Sequence, residues 1–257
     1  MSDTQIRVET DALPCEALLA AAGDDMALLA ELHDREPTAQ VLTALRAYPL
    51  EMALGLALVS PEAAAALRAM REAIAEMPDP IDAATLDDLA AGFADVYLRF
   101  SFRVSPAESV WLTEEGLERQ GPMFALREIY RKHNLKVVEP KGLPDDHLVI
   151  QLRFAARWLK SAKTREDAVE IADFLDQHLL RWIRRFAGRL TTAGASDFYV
   201  ALALVTATYL DELREHLTTL TGVARKVVVE EPAAAPAARK KASVEDRPYV
   251  PGIAPSW

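Results

Sequence analysis

Apolar residues along this chain recur at three- and four-residue intervals, the spacing that places side chains on one face of a helix. From Leu13 to about Leu32 they follow that period, and shorter helical stretches are predicted from Pro37 to about Tyr48 and from Leu50 to Val59. Ser60-Pro61-Glu62 reads as a helix start. Serine supplies an N-cap oxygen, proline suits the first helical position and glutamate suits the positive end of the dipole. That helix should end near Met77, ahead of Pro78 and Pro80. The next runs from about Ala84 to Phe100, with Leu86, Leu89, Phe93, Val96, Tyr97 and Phe100 on one face. Residues 101–112 lose the period around Pro106. Another helix is predicted from about Pro122 to Lys132, before Pro140, Gly142 and Pro144 break the chain into a loop.

Three long helices follow. One begins near Pro144-Asp145-Asp146, with Asp145 as its expected N-cap and His147 on its first turn, and runs to about Leu159. The second starts at Thr164, which has the spacing of a capping box with Asp167, and either breaks near Gln177 or continues to Leu190. The third begins at Ser196 and carries a stripe from Phe198 through Leu202, Val205, Tyr209 and Leu213 to Leu220. No alternating run bounded by hairpin turns competes with these helices. The fold class is therefore all-α: one helical bundle domain over residues 1–226, with the first dozen residues loosely ordered. The Pro/Ala/Lys-rich composition of residues 227–257 predicts a disordered or extended tail.

Composition narrows the chemistry. The 257 residues carry a formal net charge of −10, and residues 1–100 hold 18 acidic against 6 basic side chains. Such a balance disfavours nucleic acid as a partner, because phosphate binding needs a basic footprint, and it favours basic partners. A single cysteine, Cys15, precludes an intrachain disulfide and reads as a small apolar residue, in keeping with a reducing compartment. No secretion signal and no membrane span are read from the sequence. The five histidines are scattered, and no HExxH, phosphate-loop, GxGxxG or nucleophile-elbow motif occurs. No catalytic, metal or cofactor site is assigned.

Two segments stand out instead. Tyr97 to Leu112 joins an aromatic helix end to a proline-broken connection carrying Glu108, Ser109 and Trp111, and Leu143-Pro144-Asp145-Asp146-His147-Leu148 places acids at a helix start. Acids and aromatics held near each other suit a groove for a basic, apolar peptide. Taken singly, Trp111 and Phe100 also suit core packing.

The order Tyr97-x-x-Phe100, Pro106-x-Glu108-Ser109-Val110-Trp111, Tyr130-Arg131, Pro144-Asp145-Asp146-His147-Leu148, Phe174-Leu-x-x-His178-Leu-x-x-Trp182 and Phe198-Tyr199-x-x-Leu202 resembles the TorD/DmsD/NarJ family of redox-enzyme maturation chaperones. The resemblance covers roughly residues 84–220. The glycine-containing stretch that often follows the aromatic helix in that family is replaced here by Ser101-Phe-Arg-Val-Ser-Pro106. The resemblance implies a cytoplasmic, non-enzymatic chaperone, monomeric or a helix-swapped homodimer. Its partners would be the twin-arginine leader and the catalytic subunit of a molybdopterin oxidoreductase of the DMSO-reductase family, whose cofactor insertion it would assist before export. Carried over, the peptide-binding residues are Tyr97, Phe100, Pro106, Glu108, Trp111, Pro144, Asp145, Asp146 and His147. Alternatives are a guanine-nucleotide-binding or hydrolysing protein, or a structural helical adaptor for assembly of a redox complex.

Overall fold

A computed structural model describes residues 16–99, 104–138 and 142–226. The expectations for Cys15, Phe100, the N-terminal dozen and the 227–257 tail fall outside the described residues. Among those described there are eleven α-helices and one π-helical turn, and an isolated antiparallel bridge joins Ala107 to His147. The all-α expectation holds.

The core is organised around the last helix, α11 (Asp197–Thr221). It packs against α4 (Pro61–Ala75), α9 (Arg165–Gln177) and α10 (Leu179–Ala193), while α1 (Glu16–Asp34) lies along α8 (Leu148–Ser161). The α1–α8 approach is close enough that a Cβ at Gly23 would sit 2.8 Å from the Ala156 carbonyl oxygen. Phe198, Tyr199, Leu202, Val205, Tyr209 and Leu213 of the α11 stripe are all buried.

Helix ends encoded by local side chains fall where the sequence places them. Ser60 caps α4 by accepting from Ala63 N–H at 3.1 Å. Thr164 and Asp167 complete their capping box at α9, and burial, which raises the Asp167 pKa, is outweighed by backbone bonds from Lys163 and Thr164 that lower it. The chain breaks at His178, so α9 and α10 are separate helices.

Three expectations need correction. The helix predicted over 50–59 is only one turn, α3 (Leu50–Ala53), after α2 (Ala39–Ala47). Buried carboxylates take the amides that would have continued it. Asp25 accepts from Gly55 and Leu56 at 2.7 and 2.9 Å, and Glu212 accepts from Val59 and Ser60, each at 2.8 Å. The helix from Ala84 to Phe100 is α5 (Ala83–Phe93) followed by a π-helical turn over Ala94–Leu98, which carries the buried Val96 and Tyr97. Finally, α8 starts at Leu148 with His147 as its N-cap, the imidazole accepting from Val149 N–H at 3.2 Å. Asp145 is no cap. It pairs with Arg127 of α7 (Gly121–Lys132) at 2.5 Å. A short helix the sequence hid, α6 (Glu108–Leu112), follows Pro106.

Candidate functional site

The two segments singled out in the sequence meet. Glu108 N–H donates to the Asp146 carbonyl at 3.1 Å, and Leu148 N–H donates to that of Pro106 at 2.7 Å, forming a two-bond clasp around the Ala107–His147 bridge. Side chains lock it. The Asp146 carboxylate, fully buried, accepts from both the Ser109 amide at 2.8 Å and the Ser109 hydroxyl at 2.5 Å. Gln151 Nε2 donates to the Asp146 carbonyl at 2.9 Å. Glu108, also buried, accepts from His178 Nδ1 at 2.9 Å, which ties the clasp to the α9–α10 break. Nothing local to His178 in the 174–182 segment marks it for this contact.

Asp146 and Glu108 are thus framework acids, turned inward rather than toward a groove. The second oxygen of each is buried and makes no hydrogen bond within the described residues. Because Asp146 uses one oxygen for both bonds, asparagine retains that acceptor. Asp146→Asn should stay close to the parent in urea unfolding, while Asp146→Ala, which strands the Ser109 amide, should lose about 2–3 kcal/mol. Equal losses in the two variants would refute the clasp as described.

The other predicted residues divide into two groups. Tyr97 and His147 line a cavity of about 300 Å³ whose lining also includes Phe93, Leu98 and Leu143 and the charged residues Asp34, Arg35 and Glu36. Pro106 and Pro144 are buried in the loops of the clasp, and the Pro144 carbonyl accepts from His147 N–H at 2.9 Å. Trp111 is not part of this cavity. Its indole N–H donates to the Ser105 carbonyl at 2.8 Å, its ring stacks on Trp182 at 6.5 Å, and Arg185 lies over it at 5.6 Å. Phe100 lies outside the described residues.

The cavity contains contributors the sequence did not suggest. His33, at the end of α1, bonds Tyr97 Oη at 2.6 Å and Thr206 Oγ1 at 2.9 Å. Thr206 donates its own hydroxyl proton to the Leu202 carbonyl, so the proton on His33 resides at Nε2 and Nδ1 accepts from Tyr97. Burial, aided by nearby His147, pushes the His33 pKa down to about 3. Burial likewise raises that of Tyr97 well above the ordinary phenol value. The polar group at the cavity wall is therefore a neutral imidazole near neutral pH. Asp34 is held by Arg153 of α8 at 3.0 Å. An apolar hollow with the exposed carboxylate of Glu36 beside it can take an apolar side chain next to a cation.

The family model for the nitrate reductase delta subunit matches residues 58–188, and the chain belongs to that family. It is 35% identical to a chaperone protein TorD of Vibrio cholerae over 58% of this chain and 70% of the relative. It is 33% identical to a chaperone protein TorD of Psychrobacter over 62% of this chain and 74% of the relative. A probable Tat proofreading chaperone DmsD of Haemophilus influenzae is 33% identical over 39% of this chain and 47% of that protein. Among the described residues no helix is long and apolar enough to cross a membrane.

Proposed function

We propose that this protein is a cytoplasmic chaperone that binds the twin-arginine signal peptide and apo catalytic subunit of a molybdopterin oxidoreductase of the DMSO-reductase family. It would assist cofactor insertion before export, acting as a binding protein rather than a catalyst, as a monomer or helix-swapped homodimer. The observation that carries this reading is the apolar cavity beside the clasp, lined by Phe93, Tyr97, Leu98 and Leu143, with the exposed carboxylate of Glu36 beside them. A twin-arginine leader joins cations to an apolar stretch. Arginine forks onto carboxylates bidentately, and the apolar stretch gains by leaving water. The relatives' names, TorD and the Tat proofreading chaperone DmsD, support the same assignment.

Leu98 is 58% exposed and Glu36 is exposed, so charge changes at either should leave the bundle folded. In calorimetric titrations with a synthetic twin-arginine leader, Leu98→Asp and Glu36→Arg should each raise Kd about tenfold with helix content intact. A twin-lysine leader should bind more weakly to the parent. Unchanged affinity in both variants would remove the cavity from the site. No binding of the leader to the parent chain would remove the function.

A further inference from the structure

The outer face of α8 carries a second recessed surface, which shares no lining residue with the cavity beside the clasp. Arg153, Arg157 and Lys160 are exposed and recur at four and three residues, while Phe154 and Trp158 between them turn inward. Beside α8, the chain leaves α7 through Asn134, at φ 55°, and Leu135 N–H donates to the Tyr130 carbonyl at 2.8 Å. Residues 135–138 then alternate. Leu135 and Val137 are half-buried against the core, while Lys136 is exposed and Val138 is 83% exposed.

Two hollows flank this segment, of about 590 and 210 Å³, and they share Leu135, Phe154 and Arg157, so they form one groove. Its floor is aromatic, with His133 tilted against Trp158 at 4.1 Å between ring centres and Tyr130 tilted against Phe154 at 4.7 Å. Its border holds Lys136, Arg153, Arg157 and Lys160, and no carboxylate lines either hollow. In a chain of net charge −10 this is a local reversal of sign. Arg153 and Lys160 also reach carboxylates of α1, whereas Arg157 and Lys136 pair with no acid among the described residues. No backbone group among the described residues bonds the main-chain amides of Lys136, Val137 and Val138, which leaves a strand-like edge along the groove.

We propose that this groove is a second binding site, for an extended acidic peptide segment of a partner protein bearing aromatic or branched apolar side chains. Its carboxylates would pair with Arg157 and Lys136. Its apolar side chains would pack against Val138 and the Phe154–Trp158 floor, and its backbone would pair with the 136–138 edge. The groove's charged lining is wholly basic, whereas that of the cavity beside the clasp is mixed, with Asp34, Arg35 and Glu36.

The test uses the full chain and a short fluorescein-labelled peptide in which glutamate alternates with leucine and phenylalanine, followed by anisotropy at low salt. A matched peptide with lysine for glutamate is the control. The acidic peptide should bind, and the lysine peptide should not. The double variant Arg157→Glu/Lys136→Glu, altered only at exposed positions, should weaken acidic-peptide binding at least about tenfold while twin-arginine-leader affinity is unchanged. Equal affinity for the two peptides, or an unaltered affinity in the double variant, overturns the proposal. Binding that emerges only after residues 227–257 are deleted also overturns it, by giving the groove to this chain's own C-terminal residues.

Discussion

Asp176→Ala is expected to lower the free energy of unfolding by about 3–5 kcal/mol, a large share of what a domain of this kind possesses. Asp176 and Arg214 are both fully buried and meet through two parallel bonds of 2.9 Å each. The guanidinium also reaches Thr218 at 2.6 Å and the Val223 carbonyl at 3.3 Å, and Asp176 accepts from the Lys226 amide at 2.8 Å. The pair therefore joins α9 to α11 and fastens residues 222–226 across both. Truncating the acid leaves a cation in the interior with nothing to balance it, and that imbalance sets the cost. A double replacement, Asp176→Leu with Arg214→Met, removes both charges and should recover most of the loss. Urea unfolding followed by circular dichroism decides between the two outcomes. A single variant as stable as the parent would mean that water reaches the pair.

The second large effect depends on pH. His33 stays neutral in the folded protein until about pH 3, while the same side chain in the unfolded chain takes up a proton at its ordinary value of 6.5. Between those limits the unfolded state holds more protons, so stability falls as the solution is acidified. The contribution is fully present above pH 6.5 and is lost toward pH 3, by up to about 1.4 kcal/mol for each pH unit. His33→Gln keeps a donor for Thr206 and an acceptor for Tyr97 but cannot titrate. Unfolding curves at pH 7, 6 and 5 should therefore converge for parent and variant on acidification, because the parent loses stability faster. Curves that stay parallel across the range would show that His33 is not the titrating group. Glu212 adds in the same direction at lower pH. Burial raises its pKa, but the bonds from Ser60 and Val59 outweigh that and lower it, so its stabilisation is lost as pH falls through the depressed folded value.

What could be read from the sequence was mostly what neighbours in the chain decide. Ser60 and Thr164 cap their helices through residues three positions away, and the α11 stripe buries the face its period defines. The misreadings have distant causes. Leu50–Val59 has helical composition, yet Asp25 and Glu212, from other elements, claim its amides. Asp145 looks like a better cap than His147, but Arg127 of α7 draws its carboxylate away. The site was legible to the same degree. Proximity of the 106–111 and 144–148 segments was predicted, and Tyr97 and His147 do share a cavity. The inward turn of Glu108 and Asp146 was not predicted, because it depends on His178 and Ser109 arriving from separate elements. His33 and Asp34 close the cavity from α1, some sixty residues before Tyr97, with no local motif to mark them.

The paired bonds at Pro106–Leu148 and Glu108–Asp146 return the chain to the point from which it left, so α6 and α7 form a closed excursion that packs back on the bundle through Trp111, Leu126 and Tyr130. If the two bonds open together, the amide protons of Glu108 and Leu148 should show equal protection factors in deuterium exchange. Changes in length at the outer turns of that excursion would be absorbed without disturbing the register of α8.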